Sequence, residues 1–200
     1  MKKLITVLLT AMLFIANSAY AENDFNDYFD AYMKKQYEKE LILIKPQALS
    51  GDHIAQNKLG IAYENGRAVT QDYTEALKWY KLAAEQGDAD AQHNIGNMYR
   101  KVYGVKQDYS EAARWYKLAA EQGHAIAQYD LSFLYLFGQG VERDLIKAHM
   151  WYNLSANAIP TNIIGVKFIR NALADQMTQQ QIEEAQKLAR ECLARKYKGC

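Results

Sequence analysis

Charge of one sign is missing: 24 Lys and Arg stand against 23 Asp and Glu, a formal net charge of +1 spread along the chain. That balance leaves no basic face for nucleic acid or an anionic membrane surface. Catalytic signatures are missing too. Ser50, Ser110, Ser132 and Ser155 have no Lys three residues on and no G-x-S-x-G setting. His53, His93, His124 and His149 form no H-E-x-x-H pair, so each reads as a solvated or packed residue rather than a metal ligand. Cysteine is confined to Cys192 and Cys200, which form no C-x-x-C. No enzyme, no metal and no cofactor are expected.

The one long apolar run is at the amino terminus. Lys2-Lys3, then Leu4 to Ala16, then Ala19-Tyr20-Ala21 give the basic, apolar and small-residue order of an export signal. The run is shorter than the ~20 residues a membrane span needs. Residues 1–21 are therefore expected to be a signal peptide cut between Ala21 and Glu22, with no stable membrane insertion afterwards and no lipid-bearing cysteine after the cut. Localisation is then the periplasm or the medium, and the processed chain carries a formal charge of −1.

What is present is a beat. Residues 55–90 (AQNKLGIAYENGRAVTQDYTEALKWYKLAAEQGDAD) and 91–126 (AQHNIGNMYRKVYGVKQDYSEAARWYKLAAEQGHAI) agree without a gap at 20 of 36 positions. From Ala127 the same positions return: Gln128, Leu131, Tyr135, Gly140-Val141, Asp144, Ala148, Trp151-Tyr152 and Ala156. A fixed period in this range signals a solenoid. Within a unit, Ala91, Ile95, Met98 and Tyr99 give a first amphipathic helix to Lys101. A turn follows at Tyr103–Gln107, where Gly104 can take dihedrals that a side chain penalises. Asp108 then caps a second helix from Tyr109 to about Glu121, with Glu111 placed for a capping box, and Gly123 ends it. Asp72 with Glu75 repeats the arrangement, and Asp144 keeps the cap alone. One hairpin cannot cover its own apolar face, so neighbouring units must stack.

Three repeats are thus expected, at 55–90, 91–126 and 127–162. Residues 22–54 read as a degenerate capping repeat, because Tyr37, Leu41, Ala48 and Gly51 lie 36 before Tyr73, Leu77, Ala84 and Gly87. Pro46 is expected to break its second helix. Residues 163–200 read as a helical cap: one helix over 163–174, then a last one opened by a Thr178/Gln181 capping box with Ile182, Ala185, Leu188, Ala189 and Cys192 inward.

Ala55-Gln56, Leu59-Gly60, Tyr63, Gln71-Asp72-Tyr73, Trp79-Tyr80 and Ala83-Ala84-Glu85-Gln86-Gly87, met again 36 residues on, resemble the Sel1-like repeat family, a relative of tetratricopeptide repeats. The resemblance covers residues 41–200. It implies an all-α fold, an α/α solenoid of stacked 36-residue hairpins with atypical ends. Ala68, Val102 and Ser132 depart from it where glycine is usual. The resemblance also bears on the cysteines, because 84 and 92 plus three periods give 192 and 200, where cysteine-rich members clamp one helix end to the next. It so implies a disulfide between Cys192 and Cys200, which export favours. Free or intermolecular thiols and a redox pair stay open as alternatives. An unbroken helix would hold the two Cα atoms ~12 Å apart, beyond the ~7 Å a disulfide spans, so a bond requires the chain to leave the helix first.

The family's first helices line the concave side, and their non-consensus positions are the expected partner contacts: Asn57, Ile61, Asn65, His93, Asn97, Lys101, Tyr129, Phe133, Leu136 and Phe137. Tyr129, Phe133, Leu136 and Phe137 make an apolar stripe that Leu131 and Tyr135 do not need for a core. Either the carboxy-terminal helices bury that stripe or it is an exposed anchor. The function expected is an exported, monomeric adaptor that binds another protein or peptide. The alternatives are a β-lactam-binding or hydrolysing protein, which some cysteine-rich relatives suggest, and a cell-wall glycan binder.

Overall fold

In a computed structural model, residues 31–156, 168–169, 171–173 and 175–200 are described, and the expected export signal, its cleavage site and most of the 163–174 helix lie outside them. The described residues contain helices and turns and no strand. Helix α1 covers residues 31–49. Three hairpins follow: α2 (His53–Asn65) with α3 (Tyr73–Glu85), α4 (Ala89–Lys101) with α5 (Tyr109–Ala120), and α6 (Ala125–Phe137) with α7 (Leu145–Ala156). Residues 168–169 and 171–173 are helical, and α8 (Gln179–Ala194) closes the stack against α7. Each helix of the hairpins packs on the one before and the one after it, as a solenoid requires.

The caps explain where the helices start. Asp52 and Asp88 accept from the N–H groups of Ala55 and Ala91, and Asp72 and Asp108 each accept from two N–H groups of the following turn. Glu75 and Glu111 do not complete capping boxes. They turn outward to Lys78 and Arg114, at 3.3 and 2.8 Å. The reciprocal box forms instead at Thr178 and Gln181.

The repeating residues are the ones that touch other helices. Tyr80 and Tyr116 are fully buried, and a Cβ on Gly60 or Gly96 would lie 2.6 or 2.5 Å from their rings. Burying each such ring contributes roughly 1.5–3 kcal/mol, and the glycine is what lets it in. Ser132 holds the equivalent place in α6, fully buried, its hydroxyl without a hydrogen-bond partner among the described residues.

A glutamine relay staples the units. Gln56, Gln92 and Gln128 donate from Nε2 to the carbonyls of Ala48, Ala84 and Ala120 in the last turns of the preceding second helices, each of which also accepts from the N–H of Gly51, Gly87 or Gly123. Gln86 and Gln122 in turn donate to Oε1 of Gln56 and Gln92, at 2.7 and 2.8 Å. The Ala-Gln and Glu-Gln-Gly motifs are two ends of one device.

One expectation is corrected. Pro46 does not interrupt its helix, which runs unbroken over 31–49. Pro46 and Ile42 are both exposed, so water can reach the carbonyl that lost its N–H partner, and only one turn of helix remains. As a bond requires, the chain leaves α8 before Cys200, by left-handed turns at Lys196 and Tyr197 (φ 52° and 65°). That brings the Cα atoms of Cys192 and Cys200 to 5.6 Å, and the two are bonded in the structure. Tyr197 lies against Gly123, tying this closing loop to the α5–α6 turn.

Candidate functional site

Equivalent positions on the first helices of the three hairpins read Asn57, His93, Tyr129; Ile61, Asn97, Phe133; Glu64, Arg100, Leu136; Asn65, Lys101, Phe137. While the frame repeats, this face changes from polar to basic to aromatic along the stack.

Its middle is a hydrogen-bonded network spanning two hairpins. His93 Nε2 lies 2.8 Å from Asp130 Oδ2, both largely buried. Arg100 donates from Nε to the Tyr116 hydroxyl at 2.9 Å, and that hydroxyl donates to Asn97 Oδ1 at 2.8 Å. Arg100 also stands 4.0 Å from Asp130. Burial pulls the Arg100 guanidinium down, but Tyr116 and Asp130 outweigh it and hold it above its ordinary value. Burial first, then Asp130, raises the Tyr116 phenol.

The His124 ring stacks on His93 with centroids 4.9 Å apart. Its Nδ1 accepts from Ala127 N as the α6 cap, and its Nε2 faces Asp90 at 2.9 Å. Capping needs a bare Nδ1, so the neutral ring with hydrogen on Nε2 is the form that fits. Burial, then the neighbouring His93, lowers the His124 pKa, with Asp90 opposing.

The sequence-selected residues separate here. Asn57 is buried and accepts from Asn94 Nδ2 at 3.0 Å, so it joins hairpins and is not offered to a partner. Leu136 is likewise in the core, packed with Ala148, Tyr152, Ile169 and Leu173, because the segment around 168–173 covers that side of α6. His93, Asn97, Ile61, Tyr129 and Phe133 are half-buried, and Asn65 and Lys101 are exposed. Phe137 is 45% exposed and stands 4.4 Å from the Phe133 ring and 6.5 Å from Phe168, itself 55% exposed. The stripe is therefore divided: its inner edge is core, its outer edge an open aromatic pair. Arg100, Asp130 and Phe168 were not among the expected contacts. Arg100 and Asp130 fall at positions that vary between hairpins, a signal that could have flagged them.

Among the described residues no group of three or more His, Cys, Asp or Glu is placed to hold a metal ion. The hydroxyls of Ser50, Ser110 and Ser155 donate to the backbone carbonyls of Gln47, Gly140 and Tyr152. Among the described residues no helix is long and apolar enough to cross a membrane.

The Sel1 repeat model matches residues 53–88, 89–124 and 125–158, one match per hairpin. The chain belongs to the Sel1 repeat family. Its hairpins resemble the crystal structure of a Sel1 repeat protein from Oxalobacter formigenes, at 29% identity and a TM-score of 0.61, over 82% of this chain and 73% of that one. They also resemble a protective antigen present in uropathogenic Escherichia coli strains that displays an SLR fold, at 25% identity and a TM-score of 0.56. That match takes in 78% of this chain and 42% of the antigen. No curated protein matches. Sel1 repeat proteins generally mediate protein–protein interaction, and their solenoid is typically a scaffold rather than a catalyst. The Gly60/Tyr80 and Gly96/Tyr116 pairs and the glutamine relay are this fold's fixed parts here.

Proposed function

We propose that this Sel1 repeat protein is an exported, non-enzymatic adaptor that holds another protein or peptide on the first-helix face of its solenoid. The observation that carries the reading is the contrast between frame and face. The repeating residues are spent on packing, whereas the varying ones form a rigid polar patch at His93, Asn97 and Arg100 beside the aromatic edge at Phe133 and Phe137. A rigid aromatic anchor next to pre-organised polar groups suits partner recognition, because little ordering entropy is lost on binding. Residues 1–21 act as the export signal, and the oxidising compartment keeps Cys192 and Cys200 bonded. The adaptor works as a monomer, and 22–54 and 163–200 serve as its caps.

In-cell crosslinking from the exported compartment, read by mass spectrometry, tests it. Wild type should give a discrete crosslinked protein that Phe137→Asp and Phe133→Asp lose while helicity and melting of the Phe137 variant stay unchanged. Covalent labelling of the processed protein by a tagged β-lactam would overturn the reading, since it needs an activated nucleophile.

A further inference from the structure

In the interior of the stack every first helix lies between its own second helix and the next first helix. Thus α2 packs on α3 and bonds α4 through Asn57 and Asn94. One period earlier the same two walls exist, as α1 and α2, and between them lies an open groove. Its floor is Tyr37, Leu41 and Ile44 from α1 with Ile61 and Ala62 from α2. Ile44 aligns with Tyr80 and Tyr116, and Ala62 with Met98 and Leu134, all four fully buried, whereas Ile44 and Ala62 each keep 8% exposure. Most telling is Glu40. It is exposed, whereas Ala76 and Ala112 at the same position are fully buried. Residues 31–36 add to this. They continue α1 as helix, where the later hairpins have the loop that returns the chain to its first helix.

The rim has a sign. Lys58 and Arg67 border the groove, with Arg67 held over the Tyr37 ring at 5.0 Å, against the single acid Glu40, and Lys34 lines an adjoining hollow that shares Tyr37 and Arg67. We propose that this groove is a second binding site, which takes an acidic amphipathic helix from a partner protein. That helix takes the place that a first helix fills in the later hairpins. Its apolar stripe meets Leu41, Ile44 and Ile61, and its carboxylates meet Lys34, Lys58 and Arg67. This is helix-in-groove recognition with the groove's shape set by the repeat itself, and the charge supplies orientation and partner choice.

The site is independent of the Phe133/Phe137 edge, and its test does not involve that edge. The probe is a fluorescein-labelled 14-residue helix with Leu at i, i+3, i+7 and i+10 and Glu on the flanks, compared by anisotropy with the same helix carrying Lys for Glu. The full chain should bind the acidic probe at least ~10-fold more tightly. Lys58→Glu with Arg67→Glu should reverse the order, and Ile61→Glu should abolish binding of both, with circular dichroism confirming that each variant is folded. Equal affinity for the two probes, or binding that survives Ile61→Glu, would overturn the proposal. So would binding that appears only after residues 22–30 (ENDFNDYFD) are deleted, which would give the groove to the chain's own acidic segment.

Discussion

The residue after α4 offers a measurement of stored backbone strain. Gly66, Val102 and Gly138 each end a first helix in the left-handed conformation, with φ of 66° in all three and ψ of 31°, 32° and 34°. In each the cap N–H returns to a carbonyl four residues back: Ala62, Met98 or Leu134. Glycine adopts this geometry freely, whereas a side chain costs roughly 1–2 kcal/mol there. Val102 is 57% exposed, so little packing is lost on trimming it. Against the strain stands the greater freedom of an unfolded glycine, about 0.5–1 kcal/mol. Val102→Gly should therefore stabilise the protein by about 0.5–1 kcal/mol. For a chain of this size 1 kcal/mol moves Tm by ~2–4 °C, so a rise of ~1–4 °C is expected in a thermal melt, with the urea midpoint moving the same way.

The reciprocal variant sharpens the test. A Cβ at Gly138 would stand 3.2 Å from that of Arg143, so Gly138→Val adds a tight contact to the strain and should cost about 1–2 kcal/mol. If Val102→Gly lowers Tm while Gly138→Val also does, the Val102 side chain makes contacts that its exposure hides. If neither moves Tm, the argument from left-handed strain fails outright.

Removing the central member of the glutamine relay by Gln92→Ala takes away two inter-helix hydrogen bonds, those to the Ala84 carbonyl and from the Gln122 amide, and should cost about 1–2 kcal/mol by urea unfolding, because Ala84 keeps its bond from Gly87. Cys192→Ser with Cys200→Ser should cost roughly 2.5 kcal/mol for so short a loop, and a reductant should lower the wild-type Tm but leave the variant's unchanged. Because burial and His93 lower the His124 pKa from 6.5, folding stability is intact above that pH and should fall as acid is added through it towards the lower folded pKa. His124→Asp, which restores the cap residue of Asp52 and Asp88, should remove the His124 share of that fall between pH 7 and 5, leaving the share of His149, also lowered by burial.

How much of this was legible depends on what each residue does for its neighbours. Period, helix starts and the solenoid could be read because Asp72 and Asp108, Gly60 and Gly96, and Tyr80 and Tyr116 do the same jobs in the first two hairpins, and the same job at the same step shows as the same letter. The glutamines were visible as letters, but their chemistry was hidden, since a relay through Gln56 and Gln86 joins residues 30 apart in sequence. Pro46 misled because a local rule about lost hydrogen bonds presumes a buried carbonyl, and here the carbonyl side faces water. Leu136 misled because its burial is imposed by the 168–173 segment, whose arrival no pattern within α6 announces. The bonding of His93 to Asp130 and of Arg100 to Tyr116 and Asn97 escaped because His93, Asn97, Arg100 and Asp130 sit where the repeat leaves the choice of residue open, so variation marks each position but not its partner. That freedom lets the three hairpins of this chain differ at these positions while keeping one fold. A partner that discriminates among scaffolds of the same shape has only these positions to read. In the function and the second site proposed here, specificity therefore rests on the patch at His93 and Arg100, its aromatic neighbour at Phe137 and the groove at Ile61.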